Sequence, residues 1–246
     1  MSTPANIQAS IIASGIPQAA ATELVNNLNN TVIMGCVGTA IDDLDATEAT
    51  LVSVVLDMSS SMDSYRNEVI AAYNSMLNAL QASKASASIM LSTWTFADSP
   101  NLLHGYLPVG QVVPMTPKEY APNGMTALYD TLMATMTGLV TYGQKLLDNG
   151  VPNRRIIFVL SDGGDNRSKS RASQVKTAAQ GLITQEAYTL AYAGFGSPDL
   201  KQLADEVGFP DVITTSASES EIRRIFHQVS QSIIRVSQGA AAGGFF

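Results

Sequence analysis

Apolar and polar residues along this chain alternate between two periods. The run "LVSVVLD" (51–57) is continuously apolar at strand length, "RRIIFVLSD" (154–162) repeats the pattern, and each ends in an aspartate. Strands with no polar face belong inside a parallel sheet that is covered on both sides. "SASIMLSTWTF" (86–96), "AYTLAYAGF" (187–195) and "PDVITT" (210–215) read as further strands, and "NLLHGYLPV" (101–109) as a short edge strand paired to 86–96. Helical spacing fills the intervals. "SYRNEVIAAYNSMLNALQAS" sets Tyr65, Val69, Tyr73, Met76 and Leu80 on one side, and a helix over about 126–148 buries Leu128, Leu132, Met136 and Leu139. Another helix is expected over about 170–186. In "SPDLKQLADEVG", Ser197 is placed as N-cap, Pro198 at the first helical position and Gly208 as C-cap. The last helix opens with a capping box, Ser218 to Glu221, and carries the stripe Ile222, Ile225, Phe226, Val229 and Ile233. Strands alternating with amphipathic helices predict an α/β fold: a doubly wound, mostly parallel six-stranded sheet with helices on both faces.

Residues 1–50 differ in style. "IPQAAATELVNNLNN" (16–30) predicts a short helix with Leu24 and Leu28 on one face, and "IDDLDATEAT" (41–50) an acidic connector. The segment is expected to be an extension that packs on the main domain, residues 51–237. The tail, 238–246, is flexible by composition apart from Phe245 and Phe246.

Composition narrows the function classes. Of 246 residues, 46% are hydrophobic and 14% charged, which suits a globular chain with much buried strand. A net charge of −7 argues against binding a phosphate backbone, so no nucleic-acid partner is expected. The single cysteine, Cys36, allows no intrachain disulfide and reads as buried and inert. The first residues have no basic n-region, and "TVIMGCVGTAI" (31–41) is too short to span a bilayer, so a cytoplasmic protein is expected.

The chemistry gathers where such sheets bind ligands, beyond the carboxyl ends of the strands. Asp57-x-Ser59-x-Ser61 follows the first strand, Asp162 follows "IIFVLS", and Thr126 in "NGMTALYD" starts a helix after the turn Asn123-Gly124. Taken singly, the serines fit a turn and cap, Thr126 an N-cap, and Asp162-Gly163-Gly164-Asp165 a turn. Together they offer two carboxylates and three hydroxyls with no imidazole or thiolate near them in sequence. That set selects a hard divalent cation: Mg²⁺ first, with Mn²⁺ or Ca²⁺ as substitutes, and disfavours zinc.

"VVLDMSSSM", "GMTALYD" and "FVLSDGGDN", in this order, resemble the three parts of a metal-ion-dependent adhesion site of the von Willebrand factor type A domain. The resemblance covers about residues 50–236, and none of the five positions departs from the pattern. It implies a six-stranded, mainly parallel sheet with one short antiparallel edge strand, here 101–109. It implies that Ser59 and Ser61 bind the metal, that Thr126 does so directly or through water, and that Asp57 and Asp162 act through water or through hydrogen bonds to the serines. An outside Asp or Glu carboxylate of a partner protein would fill the open position. Asp165 and Asn166 read as turn residues at the rim. The acidic chain, "GGDN" and "SQSIIRVSQ" look most like stand-alone intracellular bacterial members, which are associated with AAA+ ATPases or act in stress and signalling assemblies; a secreted adhesin is the other context.

An enzyme is not expected. A haloacid-dehalogenase-like phosphohydrolase would need a second aspartate where Ser59 stands. A serine hydrolase would need a glycine-flanked elbow and a late histidine base, whereas His227 lies beside an apolar stripe and His104 on the edge strand. Trp94 and Phe96 read as core.

Overall fold

The continuous apolar runs form the two middle strands. In the computed structural model, which describes residues 3–29, 33, 35–44, 46–195, 200–216, 218–239 and 245–246, β1 (Ala49–Asp57) is buried along its whole length. It lies between β2 (Ile89–Phe96) and β4 (Asn153–Ser161), parallel to both. The sheet continues through β5 (Tyr188–Phe195) to β6 (Asp211–Thr215), also parallel, while β3 (Pro100–Pro108) closes the far edge antiparallel to β2. The order β3-β2-β1-β4-β5-β6 reverses direction between β1 and β4. A crevice therefore opens beyond the carboxyl ends of these two strands.

Alternate residues of β1 serve two cores, as a period of two demands. Val52, Val54 and Leu56 face α3 (Arg66–Gln81) and α7 (Glu219–Ser237), meeting Val69, Tyr73, Phe226 and Val229. Leu51 and Val55 face α4 (Leu128–Asp148), which contributes Leu132, Met136 and Leu139 to a core shared with α5 (Ala172–Ile183) and α6 (Leu200–Val207). Trp94 and Phe96 are buried in that second core.

The expected elements are present with edges moved by a few residues: residues 86–88 form a 3₁₀ turn ahead of β2, and α4 begins at Leu128. Three differences have physical causes. The N-terminal segment holds two helices, α1 (Pro4–Ala13) and α2 (Gln18–Asn26). The first starts from Thr3, whose hydroxyl accepts the Asn6 N–H at 3.3 Å, with Pro4 at its first position. Ile7, Ile11 and Leu24 are fully buried, whereas Leu28 lies past the end of α2 and packs only partly. The capping box at Ser218 is half formed: Ser218 accepts the Glu221 N–H, but the Glu221 carboxylate turns to Arg224. The tail is anchored at its end, with Phe245 buried, its N–H donating to Asp211 and its carbonyl accepting from Ser232. Gly208 ends α6 at φ +78°, as expected, while Ser197 and Pro198 lie outside the described residues.

Because α1 is built into the core against α4, Ile11→Ala should lower unfolding stability by about 2–4 kcal/mol. Urea denaturation would show it; an unchanged midpoint would mean that α1 adds nothing to the fold.

Candidate metal centre

Asp57 closes β1 with no exposure to solvent. Its carboxylate is held on both oxygens: Oδ1 accepts the Ser59 N–H at 2.8 Å, and Oδ2 accepts the Ser161 hydroxyl at 2.5 Å. The Tyr120 hydroxyl donates to the Asp57 carbonyl at 2.5 Å. Ser161 is the last residue of β4, and register places it beside Asp57 because Leu56 pairs with Leu160. Past the strand, Ser59 is extended and starts a 3₁₀ turn over Ser60–Tyr65. Its hydroxyl lies 3.1 Å from that of Ser61, which donates to Asp162 Oδ1 at 3.0 Å. Ser61 has one proton and gives it to Asp162, so Ser59 is the donor between the two serines. Lone pairs on both hydroxyls are left over.

Thr126 reaches the same place by lacing of loops. Gly124, at φ +86°, turns its carbonyl to accept from both the backbone N–H and the hydroxyl of Ser60, at 3.1 and 3.0 Å. Asn123 N–H donates to the Met58 carbonyl, and Asp98 accepts from Met125 N–H. Thr126 itself is nearly buried and exchanges two bonds with Asn166: its N–H donates to Asn166 Oδ1 at 2.8 Å, and its carbonyl accepts the Asn166 N–H at 3.0 Å. It does not cap α4. That task falls to Asp165, whose Oδ2 accepts the Tyr129 N–H, and to Ser168, whose hydroxyl accepts the Asp130 N–H.

The structure therefore joins Asp57, Ser59, Ser61 and Asp162 in one hydrogen-bonded chain and ties the Thr126 loop to Ser60 and Asn166. Sequence reasoning missed Ser161 and Tyr120 as supports of Asp57. It took Asp165 and Asn166 for simple turn residues, whereas they clamp the first turn of α4 and Thr126. Only Ser161 had a usable signal, its place in the register.

The donor set fits a small divalent cation. Octahedral Mg²⁺ with bonds near 2.1 Å places neighbouring oxygens about 3 Å apart, and the two serine hydroxyls stand 3.1 Å apart. Among the described residues no group of three or more His, Cys, Asp or Glu is gathered to hold a metal, so neutral hydroxyls would carry much of the coordination. The histidines stay away from this chain of bonds, His104 on β3 and His227 on the exposed side of α7. Cys36 is buried, and burial pushes its thiol up to about 11.

Burial pushes the Asp57 carboxyl up to about 6, against the opposing pull of its bonds from Ser161 and Ser59, and the nearby Asp162 adds to the rise. Asp162 is also raised, by burial. Without a cation, the folded protein holds a proton on Asp57 more tightly than the unfolded chain does. Its contribution to stability is then full below the unfolded value of 3.8 and is lost as pH rises through about 6. In EDTA, wild type should therefore lose on the order of 2–3 kcal/mol relative to Asp57→Asn between about pH 4 and pH 7. Urea unfolding of both proteins across that range checks it; parallel pH profiles would contradict it.

No protein-family model matches the chain, and no curated protein matches it. Solved structures do. The PilB minor pilin of Streptococcus sanguinis superposes with a TM-score of 0.55 at 14% identity, covering 79% of this chain and 63% of that one. A von Willebrand factor type A protein from Catenulispora acidiphila gives 0.52 at 16% identity, over 76% of this chain and 43% of that one. Proximal thread matrix protein 1 from the mussel byssus, solved with zinc occupying its metal-ion-dependent adhesion motif, gives 0.50 at 18% identity, over 78% and 47%. This chain spans less than two thirds of each. At these identities the likeness speaks for architecture alone, and with the strand order and the antiparallel edge it is specific: the fold of this chain is that of a von Willebrand factor type A domain.

Proposed function

We propose that this protein is a non-enzymatic interaction module that captures an Asp or Glu carboxylate of a partner protein through a Mg²⁺ ion. The observation that carries the proposal is the chain Asp57–Ser59–Ser61–Asp162 at the sheet's crevice, with Thr126 laced beside it. Ser59 and Ser61 would hold the ion through their free lone pairs, Thr126 directly or through water, and Asp57 and Asp162 through water and through the serines they orient. A bound divalent cation supplies positive charge that neutral hydroxyls leave largely uncancelled, and so an attraction for a carboxylate on a chain whose own net charge is −7. The zinc in the byssus protein's motif supports divalent binding on this fold. The preference for Mg²⁺ rests on the all-oxygen donors.

The buried state of Asp57 speaks against the phosphohydrolase alternative. A nucleophilic carboxylate must reach its substrate, and this one has no exposed surface and both oxygens engaged. No helix among the described residues is long and apolar enough to cross a membrane. We place the module in a cytoplasmic bacterial assembly, with an AAA+ ATPase or a stress or signalling complex as partner. The pilin among the structural neighbours favours a second context, surface adhesion through the same site.

Calorimetric titration of EDTA-treated protein should show one saturable Mg²⁺ site, weakened at least about tenfold by Ser61→Ala. Ser61 is exposed, so the variant should keep its fold. Equal binding by the variant would overturn the site, and Mg²⁺-dependent turnover of p-nitrophenyl phosphate would overturn the non-enzymatic reading.

A further inference from the structure

Beside the metal centre runs a groove of about 1000 Å³ that the five site residues do not line. Its walls come from four places: residues 26–29 at the end of α2, the β2–β3 turn at 98–100, the first turns of α4, and the segment 167–174 that runs into α5. It is continuous with the centre through its own lining. Asp98 bonds Met125, the residue before Thr126; Asp130 lies four residues after Thr126; Arg167 follows Asn166, which is bonded to Thr126. The wall from the N-terminal segment is pinned in place. Ser170, itself buried, donates to Asn27 Oδ1 at 3.1 Å, Gln174 donates to Glu23 at 2.9 Å, and Asn27 donates to the Glu23 carbonyl.

The charges in this groove are unequal in availability. Asp130 already accepts two backbone N–H groups and Asp98 one. Arg167 and Lys169, on the loop whose backbone bonds Asp130, are exposed and form no salt bridge among the described residues, where the ion pairs lie at Arg154, Arg223 and Arg224. Two cations outside any salt bridge thus line a trough whose other polar residues are asparagines, two serines, a glutamine and the bonded Asp98 and Asp130, with Met133 and Ala134 beside them. The amides of Asn27 and Gln174 are already bonded within the wall, so an extended peptide in the groove would meet the two cations as its strongest partners. The volume, at the upper end for ligand sites, takes several residues of one.

We infer that this groove binds an extended acidic segment of the partner protein, one whose first carboxylate occupies the metal centre and whose second pairs with Arg167 and Lys169. The inference rests on the carboxylate-capturing reading of the centre and adds to it a second anchor. It also gives the N-terminal segment a role: residues 26–29 complete a recognition trough. The chemistry selects a chain with two acids a few residues apart over one with a lone acid.

The test uses the full chain and short fluorescein-labelled Gly/Ser peptides, with one Asp or with a second Asp about three to five residues away on either side. Fluorescence anisotropy is read in Mg²⁺ and in EDTA. Both kinds of peptide should bind in Mg²⁺ alone, and the second acid should tighten binding about threefold to fivefold at low salt. That gain should disappear in Arg167→Gln/Lys169→Gln, whose exposed positions leave the fold intact, while binding of the one-Asp peptide stays unchanged. A gain that is absent, or that survives the double variant, overturns the groove and leaves the centre standing. Failure of every peptide to bind in a Mg²⁺-dependent way overturns both.

Discussion

A carboxylate held away from water at the end of a central strand sets the terms for the rest of the structure. Burying an ionised group is costly unless it is bonded or paired. Asp57 is bonded at both oxygens, but by neutral donors, the Ser59 N–H and the Ser161 hydroxyl. The remaining cost is seen in the upward displacement of its titration to about 6. A site built this way is incomplete in charge, with a second raised carboxylate, Asp162, three bonds along the chain. A divalent cation would relieve both at once, so the proposed centre would follow from how β1 and β4 end side by side.

The fold supplies that placement with few residues. Reversal of strand order between β1 and β4 opens the crevice, and parallel register sets Ser161 against Asp57. The two faces of the sheet then divide the labour. α3 and α7 cover one, while α4, backed by α1, α2 and α5, covers the other and delivers Thr126 at its head. Loop bonds do the fine positioning: Gly124 to Ser60, Asn166 to Thr126, Asp165 to the start of α4. The N-terminal helices thicken one layer and wall the groove beside the centre.

Much of this was legible in the chain because buried parallel strands leave runs with no polar face, as at 51–56 and 156–160. The five candidate positions were legible because two strand ends and one helix start carry oxygen side chains at close spacing. What escaped the sequence were partners about forty or a hundred residues apart. Asn166 clamps Thr126 and Asp165 caps a helix from another loop, and no local pattern separates those roles from an ordinary turn. Ser161 supports Asp57 across 104 positions, visible only once strands are paired. α1 had a local signal in Thr3-Pro4, but its apolar residues form no strong stripe. The tail's glycines and alanines spoke for flexibility, and only the packed sheet offers Phe245 a place to bury.

The most direct test is to see the ion. Anomalous diffraction from crystals grown with Mn²⁺ should place a single strong peak between the hydroxyls of Ser59 and Ser61, within about 2.0–2.3 Å of each and on the side facing Thr126. A peak held instead by other residues, or none at saturating Mn²⁺, would contradict the account, and the hydroxyl chain would then be a structural brace for the crevice alone.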